Sequence, residues 1–289
     1  MSDEWAQVTA ARYDRIILVL APAFVISQYA LYRLMHAFWK PRLTTQALEH
    51  YGASKALDAR GKQAFMREAS GCVWNCVFHT VFGSTAMYSA CALLGSQPAQ
   101  ALGDYQELLV SGEATALELQ EVGALLGSVF AALMVHFTFY WFCRWDTDPL
   151  QLFHHFAFIG VSVVLARRSA MPFVGLFAMA MECSSPALAV MTLLRQLEGE
   201  LYQRISFVAT VSFGLLFMAS RVFMFGYALL STLRVRFFTL APMPSHVPGW
   251  EFDLVLFLLT CGWVLQLHWA RLIVRKFRRH MRKADGKSS

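Results

Sequence analysis

The sequence predicts an all-α, polytopic membrane protein with about seven transmembrane helices. Three observations predict it. Hydrophobic residues fill 57% of the 289 positions and charged residues only 15%, about ten percentage points less charge than an average soluble domain. Mean hydropathy is +0.44. Scanned in windows of about 19 residues, the chain contains seven apolar stretches, near 15–38, 71–95, 122–143, 149–166, 170–194, 205–231 and 252–274, each close to the roughly 20 residues that a spanning helix needs. A single soluble globule, a disordered chain, a collagen-like repeat and a disulfide scaffold are all excluded by the same figures.

The stretches can be justified in order. Met1 to Asp14 is polar and acidic and runs into the first stretch without the features of a cleavable signal, so that stretch stays as a span. In segment 39–70, Lys40, Arg42, Lys55, Arg60, Lys62 and Arg67 interleave with Leu43, Ala47, Leu48, Ala56 and Phe65. Two readings are open for it, a helix lying along the membrane surface and a solvated connector. The second stretch carries Asn75 and His79, four residues apart and on one face. Loop 96–121 holds Asp104, Glu107, Glu113, Glu118 and Glu121 but no Lys or Arg, which fits an exoplasmic face. The fourth stretch is the shortest, and Asp148-Pro149 marks its start as an N-cap and first-turn proline. In the fifth, Pro186 cannot donate to the carbonyl of Glu182, which predicts a bend there. The seventh runs into a basic tail, Arg275 to Lys287.

The charge distribution orients the bundle. With the N-terminus outside, 17 Lys and Arg fall on the cytoplasmic side and 6 on the other, with Arg33 and Arg221 inside spans. That asymmetry favours a cytoplasmic C-terminus. The net charge of +6 and pI near 9.1 therefore point to anionic lipid headgroups rather than nucleic acid. Cys72, Cys76, Cys91, Cys143, Cys183 and Cys261 lie in or beside apolar stretches, with no zinc spacing and no disulfide pattern, and read as packing thiols.

Ionisable groups at membrane depth are costly without a cavity or a partner. His154-His155 is the leading case, because imidazole both moves protons near neutral pH and can carry an acyl group. Adjacent helical residues point about 100° apart, so the rings line adjoining sectors of one cavity. The alternative is hydrogen bonding to neighbouring helices. Glu182 is the one acid well inside a span and sits with Ser184, Ser185 and Pro186 on a single turn. It reads either as a carboxylate that orients a histidine or binds a headgroup, or as a protonated interhelical donor. Arg221 pairs with Glu182 or a lipid phosphate, or it snorkels. Asp146 and Asp148 precede the doublet. His79 and Asn75 can donate into a central cavity, whereas His136 and His268, among aromatic residues, read as interface belts. No metal site is expected: the nine histidines do not form the clustered boxes of a di-iron oxygenase. A Gly-rich phosphate loop, a GxSxG elbow and HExxH are also missing. With no lysine in any span, a retinal Schiff base is excluded.

Taken together these residues resemble a TLC domain, the multi-span fold of ceramide synthases and the TLC domain-containing proteins. The resemblance runs from about 70 to 280 through Trp74-Asn75, His79 and Tyr88, then Asp146, Asp148 and His154-His155, then Glu182-x-Ser184-x-Pro186, the Phe213–Arg221 stretch and His268-Trp269. It divides the chain into an N-terminal span and connector (1–69), the TLC domain (70–280) and a basic tail (281–289). It implies a barrel-like bundle of about six helices around a lipid cavity. By the same resemblance His154 and His155 inherit a catalytic role in acyl transfer; on the reading of the residues themselves Glu182 would join them as catalytic, and Asn75, His79, Asp146, Asp148, Ser184 and Arg221 would bind substrate. Acyl-CoA would be the co-substrate and membrane lipids the partners, with no other cofactor, in the endoplasmic reticulum or plasma membrane. Where ceramide synthases carry an HDxxD-type run, this chain has Met181-Glu182-Cys183-Ser184-Ser185-Pro186, like the TLC domain-containing branch linked to membrane lipid composition and trafficking. That leaves two functional expectations, an acyltransferase using the doublet and a non-enzymatic lipid-binding protein.

Overall fold

The computed structural model describes residues 3–39, 59–95, 117–142, 149–168, 171–194, 200–239 and 247–285. Asp146, Asp148, Cys143 and most of loop 96–121 lie outside the described residues. Seven helical rods make up what is described: α1 (Asp3–Trp39), α2 (Ala59–Gly95), α3 (Leu117–Phe142), α4 (Pro149–Arg168), α5 (Pro172–Leu194), α6 (Glu200–Phe238) and α7 (Gly249–Asp285). The protein is thus all-helical and polytopic. By length and composition α1, α3, α5, α6 and α7 each suffice to cross a membrane. The other two, α2 and α4, carry Asn75, His79 and the His154-His155 doublet, whose polar side chains lower their hydropathy.

Two boundaries differ from the sequence reading. Residues 59–70 continue α2 rather than forming a separate connector, and α7 runs through the basic tail to Asp285. Apolar windows stop where charge begins, but a helix does not: Lys and Arg are good helix formers.

Consecutive helices α2 to α7 run antiparallel, as the contacts record. Phe130 on α3 meets Phe158 on α4 edge-on, while nearer the other end Phe137 meets His155. The α4–α7 pair is stitched from Arg168–Glu251 down to His154–Trp269. Between α6 and α7 the series is Arg236–Asp253, Val222–Trp263 and Gly214 against Phe277. At one end of the bundle, then, two arginines form two-pronged clamps on the start of α7. Arg168 donates to both carboxylate oxygens of Glu251 at 2.9 and 2.8 Å, and Arg236 to both of Asp253 at 2.9 and 3.1 Å. These pairs are partly exposed, so Arg168→Ala should cost at most about 1 kcal/mol, and less at high salt. Thermal unfolding in detergent at two ionic strengths checks this.

Apolar side chains gain nothing by leaving lipid tails for a helix interface, so close packing depends on small residues. Gly123, Gly127 and Ala131 make such a stripe on α3, where a Cβ on Gly127 would lie 3.5 Å from the Ser162 carbonyl oxygen. On α2 Gly83, Ala86 and Ala90 do the same, the two alanines having no exposed surface. Beyond them Phe130, Phe177, Phe225 and Phe252 fill the half of the bundle nearest the arginine clamps, each below 3% exposure. That half is solid. Its entry into α5 is made by Met171, whose φ of 53° is left-handed and whose side chain is buried, followed by Pro172 in the first turn.

Candidate functional site

The other half of the bundle is hollow. A cavity of about 620 Å³ reaches from mid-bundle toward the end where α2, α4 and α6 begin, and every helix contributes to its wall. That volume falls within the range of small-molecule sites and corresponds to roughly 20 water-sized units. Met134, Phe137, Leu188, Ala189, Phe213, Phe217, Trp269, Leu272 and Ile273 make much of the lining apolar.

Both rings of the predicted doublet line this space. His155 is 7% exposed and His154 half-buried, and the ring centroids stand 5.9 Å apart at 50°. His154 is set between Phe158 at 4.6 Å and Trp269 at 5.6 Å. Its Nδ1 is buried without a hydrogen-bond partner.

Glu182 lies deeper, and its surroundings follow from Pro186. The carbonyl that Pro186 leaves without its usual donor is taken instead by the Ser185 N–H, three residues on, so Met181–Ser184 tightens into a 3₁₀ turn. Helical pitch changes at the predicted position, and the Glu182 carbonyl is not free. The turn presents Glu182, Ser184 and Ser185 together. Ser185 Oγ donates to Glu182 Oε2 at 2.5 Å. His79 Nδ1 stands 3.0 Å from the same oxygen, at an angle short of a straight hydrogen bond.

Arg221 completes the cluster from α6. Phe217–Met224 is π-helical, a widened turn frequent at functional sites. Arg221 Nε donates to Ser184 Oγ at 2.8 Å and a terminal nitrogen to Ser185 Oγ at 3.0 Å. The same nitrogen lies 3.6 Å from Glu182 Oε1, and Phe217 packs on the guanidinium at 5.5 Å. Arg221 is 8% exposed and turned inward, which rules out snorkelling. Trp263 Nε1 caps the Val222 carbonyl at 3.1 Å, and it reaches there because Gly226 has no Cβ, which would sit 2.8 Å from that nitrogen.

Of the described residues singled out in the sequence, His154, His155, Glu182, Asn75, His79 and Arg221 all line the cavity. Ser184 stands behind the wall, with no exposed surface, bound to Arg221. Glu182 takes His79, Ser185 and Arg221 as partners, so the histidine beside it is His79 and not one of the doublet. One expectation is corrected. His136 is not an interface-belt residue: it is 2% exposed, 4.8 Å from Trp74 and 6.4 Å from Phe24, because helix α1 covers that face of α3. Among the described cysteines Cys72 is buried and Cys76, Cys183 and Cys261 are half-buried, whereas Cys91 is exposed on α2. No group of three or more His, Cys, Asp or Glu able to hold a metal ion occurs among the described residues.

Sequence reasoning did not single out Gln28 on α1, which also lines the cavity and is 7% exposed. Its position in a polar-poor stretch was the available signal.

Comparison with known proteins agrees with the residue pattern. Neither a search of curated proteins nor one of solved structures gave a match. The TLC domain family model matches residues 68–275, the region holding every cavity residue named above except Gln28. The chain, a multi-pass membrane protein with a hollow half-bundle, belongs to the TLC domain family.

Proposed function

We propose that the protein handles a membrane lipid inside its helical bundle, with an acyl chain in the cavity and the polar portion near the Glu182–Arg221 cluster. The cavity carries this reading: a hollow of about 620 Å³ with a largely apolar wall and an ionic cluster at its inner end suits an amphiphile better than a polar solute. Membership in a family of membrane lipid-related function supports it. The charge asymmetry argues for a lumenal or exoplasmic N-terminus and a cytoplasmic tail, so the hollow half faces the cytoplasm. By analogy with the family the membrane is that of the endoplasmic reticulum or the plasma membrane.

A second reading, acyl transfer, rests on the unpartnered Nδ1 of His154 inside the cavity. There an imidazole would take the proton of an acceptor O–H or N–H as the acceptor attacks an acyl-CoA thioester. The new C–O or C–N bond forms, the C–S bond breaks, and the leaving thiolate takes up the proton.

Mass spectrometry of the protein purified in nanodiscs tests both readings. A co-purifying lipid is expected; its absence, with no uptake of added acyl lipid, overturns the proposal. On incubation with acyl-CoA and acceptor lipids, the double variant His154→Ala/His155→Ala should keep the lipid and lose turnover by about 10²-fold or more. Turnover unchanged in that variant refutes the role of the doublet, and bound lipid without turnover leaves the binding function standing alone.

A further inference from the structure

The cavity wall holds polar groups with nothing to bond. Gln28 Oε1 on α1, Asn75 Oδ1 on α2 and His154 Nδ1 on α4 are buried and unpartnered, and all three residues line the same space. Gln28 is held there by its neighbour: Trp74 Nε1 donates to Ser27 Oγ at 2.9 Å, fixing α1 against the turn of α2 that carries Asn75. Both unpartnered amide atoms are carbonyl oxygens, which accept a hydrogen bond from a ligand O–H or N–H. A buried acceptor left unmade costs stability, and a matching ligand group recovers it.

Among the described residues, the charges that line the cavity are already paired. The formally charged residues of the wall are Glu182 and Arg221, which face each other at 3.6 Å, and the guanidinium also uses Ser184 and Ser185. Among the described lining residues a phosphate carried inside would find no free cation, and an ammonium no free carboxylate. A bare hydrocarbon would leave Gln28, Asn75 and His154 unpaired.

We propose that the group held beside Gln28, Asn75 and His154 is an uncharged lipid polar group bearing hydroxyl or amide hydrogens, and that α1, outside the matched domain, selects it. The inference rests on the lipid-chamber reading above. As the acceptor in acyl transfer, such a lipid would present its O–H to His154 directly.

Native mass spectrometry of the full chain compares three probes with the same oleoyl chain: monooleoylglycerol (hydroxyls, no charge), methyl oleate (neither) and oleoyl lysophosphatidate (phosphate). Monooleoylglycerol should bind about tenfold more tightly than methyl oleate, the gain of one to two well-placed hydrogen bonds, and more tightly than the lysophosphatidate. Gln28→Leu should bring the first ratio down to near one while methyl oleate binds as before, which also certifies the fold. Asn75→Leu is the second variant and should narrow the ratio in the same direction. Equal binding of all three probes, a preference for the phosphate, or a ratio unchanged in both variants overturns the inference while leaving the chamber in place. Failure of all three to bind removes the chamber reading itself.

Discussion

Gly83→Ala should loosen the whole site, although it adds only one methyl group. The new Cβ would stand 2.7 Å from the Cys183 nitrogen and 2.8 Å from the Glu182 carbonyl carbon. Both are backbone atoms of the 3₁₀ turn, so no rotamer change relieves the contact, and α2 must move away from α5. In a helix interior alanine is worth up to about 1 kcal/mol over glycine, while overpacking a tight interface costs about 1–3 kcal/mol and occasionally more. The clash wins. The shift also draws His79 from Glu182, whose 3.0 Å contact bridges the two helices, and removes the Gly83 carbonyl from the Cys183 thiol that donates to it at 3.0 Å. The expected result is a lower unfolding temperature in detergent together with loss of co-purifying lipid. Gly160→Ala is the matched control: a Cβ there meets nothing within 4 Å, so stability should hold or rise slightly. Equal behaviour of the two variants would show that the α2–α5 approach does not organise the site.

Arg221→Met carries the larger energetic consequence. It leaves Glu182 buried with its cation gone and strips both serine hydroxyls of their donor. Removing one partner of a buried ion pair costs about 3–5 kcal/mol, whereas replacing both with apolar groups is often close to neutral. Glu182→Leu should be comparably damaging, since it strands Arg221. The double variant Glu182→Leu/Arg221→Met should be clearly more stable than the sum of the single effects predicts, a coupling of at least about 3 kcal/mol readable from unfolding curves of the four proteins. Strict additivity would mean that the two charges do not act on each other across the turn.

The seven rods were legible because each apolar stretch approaches bilayer thickness, and their ends were not, because α2 and α7 continue as helix into Lys- and Arg-rich sequence. His154, His155, Glu182 and Arg221 were legible for one physical reason: charge and imidazole stand out against hydrocarbon. Their pairing was less so. That Glu182 faces His79 instead of the doublet depends on how closely Gly83 lets α2 approach, a property of packing rather than spacing. The π-helical register that points Arg221 inward leaves no mark in residue periodicity. Gln28 was missed because an uncharged amide lowers hydropathy too little to interrupt a span, and His136 was misread because its aromatic neighbours on α3 suggested an interface, while Trp74 and Phe24, which bury it, come from other helices.

The phenylalanine-filled half of the bundle has a consequence of its own. Tightly packed rings at the inner end of a recess give a guest no room to go deeper. A longer tail has to protrude rather than penetrate, so affinity should stop rising with chain length once the recess is filled.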